Sequence, residues 1–301
     1  MTGVIDLSLL PAPTIIESVD FEEILESRKN RLLELTAPED RADLADTLAI
    51  ESEPLTKFLE ESAYREMNLR QQHNERAKSL LLAYASGPEL DHIGVTYYLT
   101  ERIEIDPGDP DANPPIEPTM ESDADYLRRI LLAHDAFSTA GSRQAYRYFA
   151  LQASPRVRDA QAERILPGRV QVYVLSRDAE GEADLSLIDA VEAALNSEKV
   201  RPLSDTVRVT TADVLSYSVS ATLQLRDGPD ADVVIKQAEK RVREYVDERH
   251  ALGAEIVLGA LEARLYVPGV ERVILHSPTA DIGGDPNQAP YCTAVEVIVD
   301  D

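Results

Sequence analysis

Apolar residues recur at helical spacing through the first hundred residues. Residues 21–35 place their apolar side chains on one face, namely Phe21, Ile24, Leu25, Leu32 and Leu35. Asp20 precedes them as a favoured N-cap, so a helix is predicted there, and a shorter one over residues 42–50. A third helix is predicted from Pro54, because Ser52-Glu53-Pro54 supplies a cap and a first-turn proline and neither Gly nor Pro follows before Gly87.

The third helix is predicted to be long and to carry a single apolar stripe. A helix between Ser52 and Gly87 would span about 48 Å at 1.5 Å per residue. We call its predicted partner-facing residues the core-bundle stripe, which consists of Leu55, Phe58, Leu59, Ala63, Met67, Leu80, Leu81 and Tyr84. Such a stripe needs packing, either on the two shorter helices or on helices of other chains, and the sequence leaves both open. The pattern is not a strict heptad, which argues against a two-stranded coiled coil.

Residues 1–19 form an apolar arm without a regular period, interrupted by Pro11 and Pro13, which exclude a helix interior. The candidate docking residues of this arm are Leu9, Leu10, Ile15 and Ile16. The arm docks either on a neighbouring subunit or on the edge of its own core.

Beyond residue 100 the pattern changes. Residues 106–120 hold five prolines and four acidic residues and predict an extended, semi-rigid linker. Helices are then predicted over residues 123–137, 143–153, 184–196, 231–249 and 257–265, and period-2 strands over 169–176, 216–225, 270–276 and 294–299. We therefore predict an α+β protein with a docking arm (1–19), a helical core-bundle region (20–100), a linker (101–120), and two small α+β domains with antiparallel sheets (121–212 and 213–301).

Composition narrows the function classes. The 301 residues include 55 acidic and 30 basic side chains, which give a net charge of −25. A surface this negative repels nucleic-acid phosphates and anionic lipid headgroups, so neither nucleic acid nor membrane is predicted as a partner. No apolar run approaches the length that crosses a bilayer. The opening residues have no basic region, so no secretion signal is predicted.

Candidate chemistry is sparse. The five histidines show no paired spacing for zinc, and the single cysteine, Cys292, suits a buried structural thiol. Acidic pairs are Asp109/Asp111, Asp123/Asp125 and Asp230/Asp232. With 55 acidic residues such pairs arise by chance, and a solvated surface explains them better than a glycosidase or divalent-metal site. The sequence thus predicts no catalytic residue, no cofactor and no metal.

A series of segments carries a resemblance along essentially the whole chain. In order these are IDLSLLPAP, VDFEEILESRKNRLLEL, LAIESEPLTKFLEESAYREMNLRQQHNERAKSLLLAYASGPELDHIG, MESDADYLRRI, AGSRQAYRYFA, VYVLSRD, VRPLSDTVRV and ADIGGDPNQAPYCT. Together they resemble the baseplate J-like family of contractile phage tails and R-type pyocin-like tailocins. The unusually acidic charge is the main feature that this family pattern does not explain.

The resemblance implies a non-enzymatic wedge subunit. By it, the long helix would join a core bundle with a second copy of the chain and a smaller wedge subunit. The globular regions would meet neighbouring wedges, sheath-initiator and hub or tube-side proteins in a ring around the tail tube, with tail fibres involved indirectly. It further implies coupling of receptor sensing to sheath contraction, assembly in the host cytoplasm and a final place in the virion or tailocin. Two other readings stay open: a tail-associated hydrolase that uses an acidic pair, and a generic adaptor module.

Overall fold

A computed structural model describes residues 7, 10, 13, 17, 19–138, 141–198, 200–226 and 230–300. The chain divides into two compact units, Met1–Tyr97 and Tyr98–Asp301. Of the predicted docking-arm residues, Leu9, Ile15 and Ile16 lie outside the described residues, whereas Leu10 is described and half exposed. The domain boundaries drawn from the sequence stay a prediction.

The first unit is helical: α1 (Phe21–Leu35), a 3₁₀ turn (Pro38–Asp40), α2 (Arg41–Leu48), α3 (Pro54–Ser79) and the start of α4 (Gly87–Tyr98). The Asp20 carboxylate caps α1 by accepting from the backbone N–H groups of Glu22 and Glu23, as the sequence predicted. Helix α4 was not predicted. It begins at Gly87, whose φ of +54° lies in the left-handed region that glycine tolerates.

The predicted length of the third helix is wrong. Helix α3 ends at Ser79 after 26 residues, which corresponds to about 39 Å. The N–H groups of Leu81 and Tyr84 then donate to carbonyls three residues back, so the chain continues in tight turns. Leu80, with 75% of its surface exposed, finds no packing that would extend the helix. The stripe residues Leu80, Leu81 and Tyr84 therefore lie beyond the helix.

The proline-rich segment is not the extended linker that was predicted. Strand β1 (Glu104–Asp106) pairs antiparallel with β2 (Thr119–Met120), and Asp109 forms a further antiparallel bridge to Ile116. The ends of the segment therefore meet as a hairpin. Gly108 makes this approach possible, because a Cβ at that position would lie 2.3 Å from the carbonyl oxygen of Ile116.

The first half of the second unit continues with α5 (Asp123–Ala136), α6 (Arg143–Ala153) and α7 (Leu185–Leu195) around strands β3 (Val157–Leu166), β4 (Arg169–Ser176) and β5 (Thr206–Thr211). The strand order is β3-β4-β5. The Ser122 side chain caps α5 by accepting from the Asp125 N–H, and the Ser142 side chain caps α6 by accepting from the Ala145 N–H. Val172 and Val209 sit side by side on the face that points to the core.

The second half contains β6 (Asp213–Leu225), α8 (Ala231–Arg249), β7 (Glu255–Ile256), α9 (Leu258–Leu265), β8 (Val270–Ser277), β9 (Ile282–Gly283) and β10 (Gln288–Val299). Its main sheet has the order β10-β6-β8, and β7 pairs with β9. Buried residues of β6 and α8, such as Val219, Leu223, Ala238 and Val242, form the core.

The α+β class is confirmed, but the two main sheets are mixed rather than antiparallel. In the first sheet β3–β4 is antiparallel and β4–β5 is parallel; in the second, β6–β8 is antiparallel and β6–β10 is parallel. A helix such as α7 between β4 and β5 returns the chain to the same end of the sheet, which allows parallel pairing.

Candidate assembly surface

Helices α1 and α3 pack on each other through a small apolar cluster. Ile24 and Leu25 of α1 and Ala63 of α3 are buried at its centre. Leu59 and Met67 of α3 are partly buried against it. Three residues of the core-bundle stripe, Leu59, Ala63 and Met67, thus contact their own chain, and Ala63 has no exposed surface.

Hydrogen bonds and ion pairs also join α1 to α3 along the edge of the cluster. Arg28 of α1 donates to the Ser62 hydroxyl at 2.6 Å and forms an ion pair with Glu66. Arg70 donates to the other Glu66 oxygen at 2.6 Å. Hydrogen bonds from Arg28 and Arg70 lower the pKa of Glu66 from its ordinary value.

Asn74 anchors the described end of the N-terminal arm to α3. Its Oδ1 accepts from the backbone N–H of Glu17 at 3.1 Å, and its Nδ2 donates to the Glu17 carbonyl at 2.9 Å. Asn74 is buried on an otherwise polar stretch of the helix. Its partner is 57 residues away in the chain, so the local sequence pattern did not reveal this contact.

Of the remaining stripe residues on α3, Phe58 points away from the cluster and Leu55 lies at its border. We define the exposed strip as Leu55, Phe58 and Leu69, which are 37%, 68% and 55% exposed. At 100° per residue these three positions fall within about 60° of one another, and Phe58 lies about 140° from Ala63. Leu69 was not among the predicted stripe residues. The apolar side chains of α3 therefore serve two faces rather than one.

The second unit contains a buried ionic cluster that joins its two halves. Asp159 of β3 is fully buried between Arg128 at 2.7 Å and Arg147 at 2.9 Å, and its second oxygen accepts from the Leu252 N–H at 3.1 Å. Burial by itself raises the pKa of Asp159, but attraction to Arg128 and Arg147 outweighs it and lowers the pKa. Arg158, which precedes Asp159 in β3, donates to the carbonyl of His250 at 3.1 Å.

An apolar contact continues this junction. Leu175 and Ala212 from the first half meet Leu252 and Ala289 from the second in a buried cluster. Buried ion pairs and apolar packing therefore join the two halves of the second unit.

The acidic pairs proposed from the sequence have structural partners. Asp123 and Asp125 pair with Arg102 and Arg177. Asp230 caps α8 by accepting from the Asp232 N–H, and the Asp109 carboxylate accepts from the Asp111 N–H. These contacts are caps, turns and ion pairs and do not form a catalytic dyad.

The cysteine and the possible metal ligands were also located in the structure. Cys292 is half buried, its thiol donates to the Ala294 carbonyl at 3.3 Å, and burial raises its pKa. Within the described residues, His, Cys, Asp and Glu side chains form no group of three or more that could hold a metal. In the same part of the chain, every helix is too short or too polar to cross a bilayer.

Comparisons with known proteins agree along the chain. The family model of the baseplate J-like N-terminal domain matches residues 51–109, the central domain residues 138–211, and the C-terminal domain residues 217–298. The chain is also 43% identical over 295 residues to "Baseplate protein J" of Escherichia phage P2, which covers 98% of this chain and 97% of that protein. The chain belongs to the baseplate J-like family.

Membership identifies this baseplate J-like protein as a structural baseplate subunit of a contractile phage tail, and hence as a virion component that associates with other baseplate proteins. The match to the N-terminal domain begins at residue 51 and contains all of α3, including the exposed strip. Arm residues and α1 precede it.

Proposed function

We propose that this baseplate J-like protein is a wedge subunit whose exposed strip on α3 enters a helical core bundle. The bundle comprises a second copy of the chain and a smaller wedge subunit. The second unit then contributes to a ring around the tail tube, in contact with neighbouring wedges, sheath-initiator and hub proteins, and transmits receptor sensing to sheath contraction.

The exposed strip is the observation that carries this proposal. Leu55, Phe58 and Leu69 are exposed on a 26-residue helix that already packs on α1. Phe58 and Leu69 lie about 140° and 120° around the helix from Ala63, which is at the centre of that packing. Burying a side chain such as Phe58 in a partner would contribute about 1.5–3 kcal/mol. Helices that present a second apolar face of this kind are stabilised further by joining a bundle.

Some stripe residues pack on α1 and others are exposed, and only a substitution of an exposed one tests the bundle contact alone. Leu59→Asp or Met67→Asp would disturb the packing of α1 on α3 as well as any partner contact. Phe58→Asp places the new charge where the side chain is 68% exposed, so the unit should keep its fold.

The experiment co-expresses the full chain with the other tail proteins and measures incorporation into baseplates by affinity purification and negative-stain imaging. Phe58→Asp is expected to abolish incorporation while the thermal midpoint of the isolated protein stays unchanged. Tyr64→Asp is the matched control, because Tyr64 is an aromatic residue of the same helix that is 55% exposed but lies about 120° from Phe58 around the helix. Normal baseplates with Phe58→Asp would refute the bundle role of α3.

The same proposal assigns no catalysis to the chain. Four of the six carboxylates in the acidic pairs, those of Asp109, Asp123, Asp125 and Asp230, are engaged in a turn, ion pairs and a helix cap, which supports a scaffold. Purified protein is expected to leave a cell-wall suspension turbid, and clearing would revive the hydrolase reading. We also propose that assembly takes place in the host cytoplasm, which fractionation of producing cells for free and assembled subunit would test.

A further inference from the structure

One face of the first sheet in the second unit is basic, although the chain as a whole is strongly acidic. The outward side chains of β4 and β5 include Arg169, Gln171, Thr206 and Arg208. Beside them, at the end of β3, Ile165 and Leu166 are each about half exposed. We call these six residues the arginine face.

Strand register explains why these side chains meet. Arg169 pairs with Thr206, and Gln171 pairs with Arg208, in the parallel β4–β5 ladder. Alternate residues, Val170 and Val207, point to the opposite side, where α6 and α7 cover the sheet. A groove of about 300 Å³ runs between the arginines and the two apolar side chains.

The two arginines of this face are unpaired in the described part of the chain. Within the described residues, neither Arg169 nor Arg208 has an ion pair or a side-chain hydrogen bond, although most arginines buried in this unit have both. One carboxylate of these strands, Glu163, lies on the same face opposite Gln171, so it is a diagonal neighbour of Arg169 and lies two strands, about 10 Å, from Arg208. Among the described residues it forms an ion pair with neither arginine.

Charge and shape together select the class of partner. Unpaired guanidinium groups bind carboxylates well, and arginine beside exposed aliphatic side chains is typical of protein interfaces. A nucleic acid carries a charge on every phosphate, so the chain's net charge of −25 repels it more strongly than a short acidic segment, and it would gain little from Ile165 and Leu166. Two whole copies of the chain, each with a net charge of −25, repel each other more strongly than one copy and a single acidic segment, so a second copy is the weaker candidate for this face.

We propose that the arginine face binds an acidic segment of a different protein of the tail, with carboxylates on Arg169 and Arg208 and an apolar side chain against Ile165 and Leu166. The inference concerns a surface distinct from the exposed strip on α3 and rests on the chain being a baseplate subunit. It assigns the second unit a contact of its own.

Photo-crosslinking within assembled tail particles tests it. The full chain carries benzoylphenylalanine in place of Thr206 and is expressed with the complete set of tail proteins. Particles are irradiated, and the cross-linked peptide is sequenced by mass spectrometry. The measurement is repeated with Arg169→Glu and Arg208→Glu together. A control pair with the same charge change, Lys236→Glu and Arg241→Glu, alters exposed residues of α8.

We expect a cross-link to a segment of another protein that is rich in Asp and Glu. Its yield should fall at least about tenfold with the Arg169/Arg208 pair and stay unchanged with the α8 pair. Particles that contain the chain but give no such cross-link would overturn this inference alone. So would a cross-link to nucleic acid, to a second copy or to a non-acidic segment, or a yield insensitive to both charge reversals. Failure of the unsubstituted chain to enter particles would overturn the wedge proposal with it.

Discussion

Replacing the buried carboxylate of Asp159 should destabilise the second unit more than any exposed ion pair in it. Asp159→Asn keeps the shape and one acceptor oxygen but removes the charge that faces Arg128 and Arg147. Breaking a buried ion pair from one side costs about 3–5 kcal/mol, because the opposite charge is left buried without compensation. Arg128 is partly exposed and can be solvated, so we expect the lower end, about 3 kcal/mol.

The assay is urea unfolding of the full chain, monitored by circular dichroism because the protein has no tryptophan whose fluorescence could report unfolding. Hydrogen exchange of the Leu252 amide reports locally, because that N–H donates to Asp159. Asp178→Asn is the control: Asp178 pairs with Arg156 but about half of its side chain is exposed, so the loss should stay below about 1 kcal/mol. Equal losses in the two variants would refute the reasoning.

The pH dependence of the same pair has a defined sign. The folded-state pKa of Asp159 lies below its ordinary value, so the carboxylate stabilises the fold above about pH 4, and this contribution is lost as pH falls through the folded pKa. Unfolding free energies of the native protein and of Asp159→Asn should therefore converge on acidification. A constant gap between pH 7 and pH 3 would contradict the assignment.

The remaining predictions concern single contacts. Asn74→Ala removes both hydrogen bonds to the Glu17 backbone and should speed hydrogen exchange at Glu17 by about tenfold, with unchanged exchange contradicting the anchor. Gly181→Ala should lower stability by about 1–3 kcal/mol in thermal unfolding, because φ is +115° and a Cβ would lie 2.6 Å from Leu175 Cδ1. Gly259→Ala, with open space around it, should not destabilise, and equal losses at both glycines would refute the steric argument.

The candidate surface was only partly predictable from sequence. Helical spacing identified Leu55 and Phe58, which are exposed, together with Leu59 and Met67, which pack on α1. Helical spacing predicts which residues share a face of the helix, but not which neighbouring element packs on that face. Leu69 was missed because it lies about 160° around the helix from Met67, although it shares the side of Leu55 and Phe58.

Strand β3 was not predictable from the sequence for a different reason. Its sequence, VRDAQAERIL, lacks the apolar alternation that marks a strand, and it was not predicted. Asp159 occupies a fully buried position within it, which is tolerable only because Arg128, Arg147 and the Leu252 amide converge there from distant parts of the chain.

The sequence by itself determined the local structure of this protein. Caps such as Asp20, Ser122 and Ser142 fix where helices begin, because a side-chain oxygen satisfies backbone N–H groups within three residues. Tertiary structure decided where α3 stops, that residues 104–120 close into a hairpin, and which strands run parallel. These features depend on packing and hydrogen bonds between residues far apart in the chain, and local patterns carry no record of those partners.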